Sequence, residues 1–187
     1  MAILALDISG IPRTWVSNDD AITYHAKGLV AWTLGDVVAS YHGGIKNDGT
    51  RSYLETPSII AIHGAGFDFK KHIRVILTNK TLFARDRSIC GYCGSHHTNH
   101  AGLSRDHINP RFLGGADEWT NVVTACRQCN QKKGCKTLKQ SGMELLYVPY
   151  EPNHYEHLLL QNRSVLADQM EYLMSGVPKH SRLIKLN

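Results

Sequence analysis

The 187-residue chain has no apolar run near the roughly 18 residues that would suggest a membrane span. Its N-terminus, MAILALD, lacks a basic leader and a long apolar segment, and reaches Asp7 within one short run. That is not the pattern of a secretory signal, so the chain is expected to be soluble, without a membrane partner, and cytoplasmic. Cysteine is scarce, at five residues, and the count is odd. A disulfide-built secreted domain would be smaller and carry no spare thiol, so that class is excluded. Internal repeats and low-complexity segments are missing. Acidic residues are outnumbered, 16 to 21, giving a formal charge of +5 and a pI near 9.0. This mild excess favours an anionic partner without identifying one.

What is present concentrates in residues 104–134, SRDHINPRFLGGADEWTNVVTACRQCNQKKG. The stretch combines an Asp-His pair, a Gly-Gly turn, the separated asparagines Asn121 and Asn130, a Cys-x-x-Cys and a run of basic residues. The length suggests one to two domains, with three segments read along the chain: residues 1–79, 80–140 and 141–187.

Residues 1–79 are read as a small α+β unit. Strands are expected at 2–6, 29–33, 37–41, 58–62 and 73–77, where β-branched and aromatic residues recur. Ser17 with Asp20 caps a helix that runs to Lys27 and ends at Gly28. Gly43-Gly44 and Asn47-Asp48-Gly49 are turn signals, and 63–71 is a partly basic loop. Trp15, Tyr24 and Trp32 read as core, with a stacking surface for nucleic acid as the alternative. Residues 78–87 form a short basic helix whose Lys80, Arg85 and Arg87 could lie against phosphates or simply face solvent. Beyond the central stretch, 143–148 is a candidate strand ended by Pro149 and Pro152. Asn153 with Glu156 opens a helix to Met174, stopped by Gly176 and Pro178. Its Leu159, Leu166, Met170 and Leu173 form a stripe that either packs on the body or joins two copies as a homodimer.

Cys90-x-x-Cys93 and Cys126-x-x-Cys129 can each fold as a tight knuckle, and two knuckles make a four-thiolate zinc site. The interval 94–125 exceeds a common zinc-ribbon spacing and leaves room for an inserted hairpin. Redox chemistry is the alternative, but one redox pair would not need a second. His96 and His100 follow Cys93 too closely to complete a zinc finger. They are read with His97 as loop residues, and Cys135 as packing. A four-thiolate zinc has no open position, so it stabilises rather than catalyses.

Catalytic groups are therefore sought elsewhere. Residues 105–108 read as a strand that puts Asp106 and His107 on opposite faces, ended by Pro110. Residues 121–125 are the return element, and a helix begins between 127 and 130. Phosphodiester hydrolysis needs an activated water and stabilised charge. His107 suits the base because imidazole titrates near neutrality. Asp106 offers a hard carboxylate for Mg²⁺ or a similar ion, and Asn130 can add a carbonyl oxygen. Asn121 can hold the loop that carries the histidine. Residues 127–139 contain five basic side chains and no acid. Arg105, Arg111, Arg127, Lys132, Lys133 and Lys136 are the candidate phosphate contacts.

The pattern CGYC…DHINPRFLGG…NVVTACRQCNQKKG resembles the HNH endonucleases with a four-cysteine zinc site, over roughly residues 88–134. The resemblance implies a ββα-metal core in an α+β chain, with His107, Asn121 and Asn130 at the three signature positions, an H-N-N variant. It implies His107 as general base, structural Zn²⁺, one Mg²⁺ or Mn²⁺ held by Asp106 and Asn130, and cleavage leaving 5′-phosphate and 3′-hydroxyl ends. DNA is the expected substrate, and RNA is not distinguished from it. Residues 1–79 are similar to the leading domain of many bacterial HNH proteins, through the Ser-capped helix and ETPSIIAI. The alternative is a zinc-containing module that binds nucleic acid without cutting it.

Overall fold

The computed structural model describes residues 2–63, 75–161 and 164–184. The chain divides into two compact units, Met1–Ile73 with His154–Val177, and Arg74–Asn153 with Pro178–Asn187. The C-terminal residues expected as an extension thus contribute to both.

The first unit is built on a four-stranded sheet in the order β2-β1-β4-β3, formed by β1 (Ile3–Asp7), β2 (Pro12–Val16), β3 (Val30–Ile45) and β4 (Arg51–Ile62). β1 pairs parallel with β4 and antiparallel with β2, and β3 pairs antiparallel with β4. β1 is buried along its whole length, and so are Ile59, Ile60 and Ala61 of β4. This is the continuous apolar pattern of a strand covered on both faces. One face packs Ile3, Ala5, Ile60 and Ile62 against Ala21 of α1 (Asn18–Ala26). The other packs Leu4, Leu6 and Ile59 against Leu158 of α5 (His154–Gln161) and Leu173 of α6 (Ala167–Met174).

Several sequence expectations change here. Strands expected at 29–33 and 37–41 are one continuous β3, and Gly43-Gly44 lies inside it. A Cβ at Gly43 would stand 2.1 Å from Ser52 Oγ on β4, so the glycine serves close approach of two strands and not a turn. The reversal falls at Asn47-Asp48-Gly49, as expected, with Thr50 N donating to Asp48 Oδ1 at 2.9 Å. Strand β2 was not anticipated; Pro12 is its first residue, on the edge of the sheet, where a missing N–H is tolerated. Ser17 caps α1 through Asp20 N, as its spacing suggests. Trp15 and Tyr24 pack on the core, while Trp32 is 36% exposed. The C-terminal helix is two helices: α5 ends at Gln161, and Leu166 is the N-cap of α6, so it cannot share a helical stripe with Leu159. Leu158 and Leu173 are buried in this unit's own core.

The second unit contains α2 (Asn79–Arg85), the antiparallel pair β5 (Leu103–His107) and β6 (Val122–Cys126), α3 (Arg127–Lys133) and α4 (Leu138–Ser141). Thr78 and Thr81 make a reciprocal capping box that starts α2. Arg85, a candidate phosphate contact, is instead fully buried. Its five N–H groups all donate: two to Asp86, and one each to the carbonyls of Trp119, Val122 and Tyr150, at 2.8–3.1 Å. Asp86 in turn accepts from Thr124 N at 2.8 Å. A charge this completely bonded is a structural hub, with no donor left for DNA. Residues 143–148 form no strand; Leu146 N donates to Gly91 O instead. The basic loop 64–71 and residues 73–74 lie outside the described residues, and 75–77 form no strand. Among the described residues no helix is long and apolar enough to cross a membrane.

Candidate functional site

The site forms where both cysteine pairs and the β5–β6 pair meet α3. In the first knuckle Gly94 N donates to Cys90 O and Cys90 N to Ser95 O, closing a tight turn that presents two sulfurs. In the second, Cys126 caps α3 and its Sγ accepts from Cys129 N at 3.4 Å. The ligand atoms of Cys90, Cys93, Cys126 and Cys129 all lie within 4.8 Å of one another, with Cys93 Sγ 3.9 Å from Cys126 Sγ. A tetrahedron with Zn–S bonds of about 2.3 Å has edges of about 3.8 Å, so the cluster is compatible with zinc. The Ser95 hydroxyl and amide lower the Cys93 thiol to about 6, while burial raises those of Cys90 and Cys129. Cys135 is outside the cluster and exposed. His97 and His100 stand beside Ser95 and Ser88, at 3.0 and 3.3 Å, and belong to the loop.

β5 then divides two neighbouring residues between two environments. Asp106 turns inward and is 5% exposed. Its Oδ1 accepts from Lys133 Nζ at 3.1 Å, and its Oδ2 accepts from the Tyr92 hydroxyl. Lys133 Nζ also donates to His107 O at 2.7 Å. Burial and the Asp106 carboxylate raise the Tyr92 phenol strongly, so it remains a donor. This corrects the reading of Lys133 as a phosphate contact: it is 1% exposed and its charge is spent on Asp106.

His107 lies on the other face. Its Nε2 is 2.9 Å from Asp117 Oδ1. Arg105, two residues earlier and on the same face, donates through Nη1 to both oxygens of Asp117 at 2.8 and 2.7 Å, and through Nε to Asn79 Oδ1 at 3.0 Å. The Arg105 guanidinium holds the Asp117 carboxyl below its ordinary range, with partial burial opposing and His107 assisting. An ionised carboxylate can only accept, so His107 Nε2 is the donor in this contact and Nδ1 is the ring nitrogen turned away from Asp117. Asp117 was not among the residues singled out from the sequence. It lies ten positions from His107 in a loop, and only the fold brings it there.

The loop itself is tied by Asn121. Its Oδ1 accepts from Asn109 N at 2.9 Å, and its Nδ2 donates to Asn109 O and Ala116 O at 3.1 and 2.8 Å. Gly115 permits this closure, since a Cβ there would stand 1.8 Å from Asn109 O. Asn130, on α3, donates through Nδ2 to Ser104 Oγ at 2.8 Å and lies 3.5 Å from Arg105 O. Thus His107, Asn121, Asp117 and Arg105 gather on the loop side, and Asp106, Asn130 and Lys133 on the α3 side. Arg111, Arg127, Lys132 and Lys136 are exposed.

With this geometry in place, residues 90–146 match the model of a family described as HNH endonuclease, and the chain carries an HNH domain over that segment. No curated protein matches the chain. The domain points to nuclease or nucleic-acid-related function, with nucleic acid as substrate or partner.

Proposed function

We propose that the HNH domain hydrolyses phosphodiester bonds in DNA, with His107 Nδ1 removing the proton from the attacking water. The observation that carries this reading is the hydrogen bond from His107 Nε2 to Asp117 Oδ1, which holds the ring in the way a carboxylate orients a catalytic imidazole. Asn121 keeps the histidine loop closed, and Arg105 lies on the same face of β5 as His107, where its charge would serve a bound phosphate as well as Asp117. Arg111, Arg127, Lys132 and Lys136 supply positive charge that DNA binding would use.

The oxygens on the α3 side, Asp106 Oδ1 and His107 O, are hard donors of the kind Mg²⁺ takes, and the Lys133 ammonium neutralises them in the absence of a metal. Asp106 and Asn130 would hold Mg²⁺ or Mn²⁺, provided Lys133 Nζ gives up Oδ1. Such an ion supplies charge neutralisation at the phosphate and the leaving oxygen. The four cysteines would hold Zn²⁺ as a scaffold, which suits a reducing compartment such as the cytoplasm.

The second reading, a module that binds nucleic acid without cutting it, is favoured by the engagement of both Asp106 oxygens with Lys133 and Tyr92. Incubating zinc-loaded protein with supercoiled plasmid in Mg²⁺ or Mn²⁺ separates the two. Hydrolysis predicts metal-dependent nicking. Stable binding with no nicking of any DNA or RNA in either metal leaves the binding module.

A further inference from the structure

Beyond the core of the first unit, β3 and β4 continue alone. β1 pairs with β4 only over Ile59–Ile62, so from Pro57 outward the two strands form a ribbon that ends at Asn47-Asp48-Gly49. A two-stranded ribbon is marginal in water unless a face of it is covered. One face is covered: Val38 packs on the α1 side of the core, and Thr56 is fully buried.

The other face is open. The extra residue of each register shift lies on β3, so β4 alternates regularly and assigns the faces. Arg51, Tyr53, Glu55 and Pro57 share one face with their partners Ile45, His42, Ser40 and Val37. Side-chain contacts agree with this register. The Tyr53 hydroxyl donates to Glu55 Oε1 at 2.8 Å and lies 3.1 Å from Ser40 Oγ, and its ring is 5.1 Å from that of His42. Val37, Ile45 and Tyr53 are 49%, 78% and 53% exposed, so three large apolar groups face solvent together.

The charges on this face indicate what covers it. It carries one base, Arg51, and one acid, Glu55, each two residues from Tyr53. A face of zero formal charge with a carboxylate near its middle suits neither a phosphate backbone nor an anionic lipid surface. The outer edge of β3 is broken by four register shifts, which blunts addition of a further strand there. A second copy does fit. A twofold axis running across the strands at Tyr53 sets each Arg51 opposite the other copy's Glu55. It also sets each Ile45 beside the other copy's Ser40 and Val37. Among the described residues Arg51 bonds only through Nε, to Gly43 O at 3.1 Å, and Glu55 only through Oε1. The Arg51 Nη groups and Glu55 Oε2 are thus left for that pair. Facing sheets lie about 10 Å apart, a gap that an arginine and a glutamate span together. The overlap, about 26 Å by about 10 Å, gives roughly 260 Å² of flat face per copy, below the about 800 Å² per partner of a stable dimer. Association should therefore be weak and concentration-dependent.

We propose that this ribbon face is a homodimer contact, with two copies packed face to face about Tyr53. The assignment rests on the first unit alone and does not require the nuclease reading.

The test is sedimentation velocity of zinc-loaded full-length protein without nucleic acid, from micromolar to millimolar concentration. Wild type should pass from monomer to dimer over that range. Ile45→Asp should weaken the dimer at least tenfold. Arg51→Glu and Glu55→Arg should each weaken it about tenfold, because two pairs change sign together. An equimolar mixture of those two variants should associate within about threefold of wild type, since every changed charge then faces its opposite. All of these residues are exposed, so zinc content and thermal midpoint should match wild type. A wild type that stays monomeric throughout overturns the proposal. So does a dimer that Ile45→Asp leaves unchanged, or a mixture no tighter than its components. A monomeric wild type whose Ile45→Asp variant loses DNA binding gives the face to nucleic acid instead. Nicking by a protein that never dimerises sinks this proposal alone, and dimerisation without nicking sinks the nuclease reading alone.

Discussion

The two units are held together by different means. In the first, the sheet buries Leu4, Leu6, Ile59 and Ile60 almost completely, between α1 on one face and α5 and α6 on the other. In the second, the two largest fully buried side chains are charged: Arg85, which bonds Asp86 and three carbonyls, and Lys133, which bonds Asp106. The four-sulfur cluster, compatible with zinc, lies in the same unit. Apolar burial is non-directional, so the first unit tolerates changes of side chain that keep volume. Ion pairs and metal–ligand bonds are directional and short-ranged. Interactions of this kind hold a small unit in one geometry, and they fail sharply when one partner is lost.

That contrast can be broken by experiment. The largest effect is expected from Cys126→Ser. It should remove zinc and with it on the order of 10 kcal/mol of folding free energy from the second unit. Amide exchange should accelerate throughout β5 and β6 while β1 and β4 stay protected; uniform loss of protection in both sheets would show that the two units are not separately held. Arg85→Met comes next, at about 3–5 kcal/mol by denaturant unfolding, because Asp86 and three carbonyls lose their donor together. A cost below about 1 kcal/mol would remove Arg85 from its place as hub. In the first unit Leu4→Ala should cost about 2–5 kcal/mol as an ordinary core cavity. Its zinc content should match wild type, and zinc loss in this variant would contradict the division.

The smallest effect concerns Asp117. The carboxylate is 46% exposed on its side chain, so it orients His107 without contributing much stability. Asp117→Asn should slow nicking roughly tenfold, well short of the roughly 10⁴-fold seen when a buried carboxylate orienting a catalytic histidine is replaced. Its folded carboxyl titrates lower than the unfolded one. The interaction with Arg105 and His107 is therefore fully present above the ordinary Asp value near 3.9, and is lost as pH falls through the lowered folded value. Carbon-13 NMR of the Asp117 carboxyl should show a midpoint below 3.9. A midpoint at or above it would mean that the contacts with Arg105 and His107 do not persist in solution.

The signals that could be read from the chain were local ones. Ser17 capping α1 and the Asn-Asp-Gly reversal depend on residues within three or four positions of each other. The cysteine pairs declare their geometry by spacing alone, and the alternation of Asp106 and His107 follows from the period of a strand. What was missed depended on distant partners. β3 runs through Gly43 because Ser52 on β4 needs the space. Arg85 looked like one of several surface cations until Trp119, Val122 and Tyr150 turned their carbonyls towards it. Lys133 sat in a basic run, and its burial against Asp106 follows from its place one turn beyond Asn130 on the face of α3 that meets β5. Asp117 had no motif of its own; closure of the loop by Asn121 puts it beside His107.

The central claim is that scaffold metal and chemistry are separate, with His107 carrying the second. The direct test measures zinc content and plasmid nicking together in wild type and His107→Ala. The account predicts one zinc per chain in both proteins. It also predicts Mg²⁺- or Mn²⁺-dependent nicking by wild type, reduced about 10²–10⁴-fold in the variant. Nicking at the wild-type rate by a zinc-loaded His107→Ala protein would contradict it.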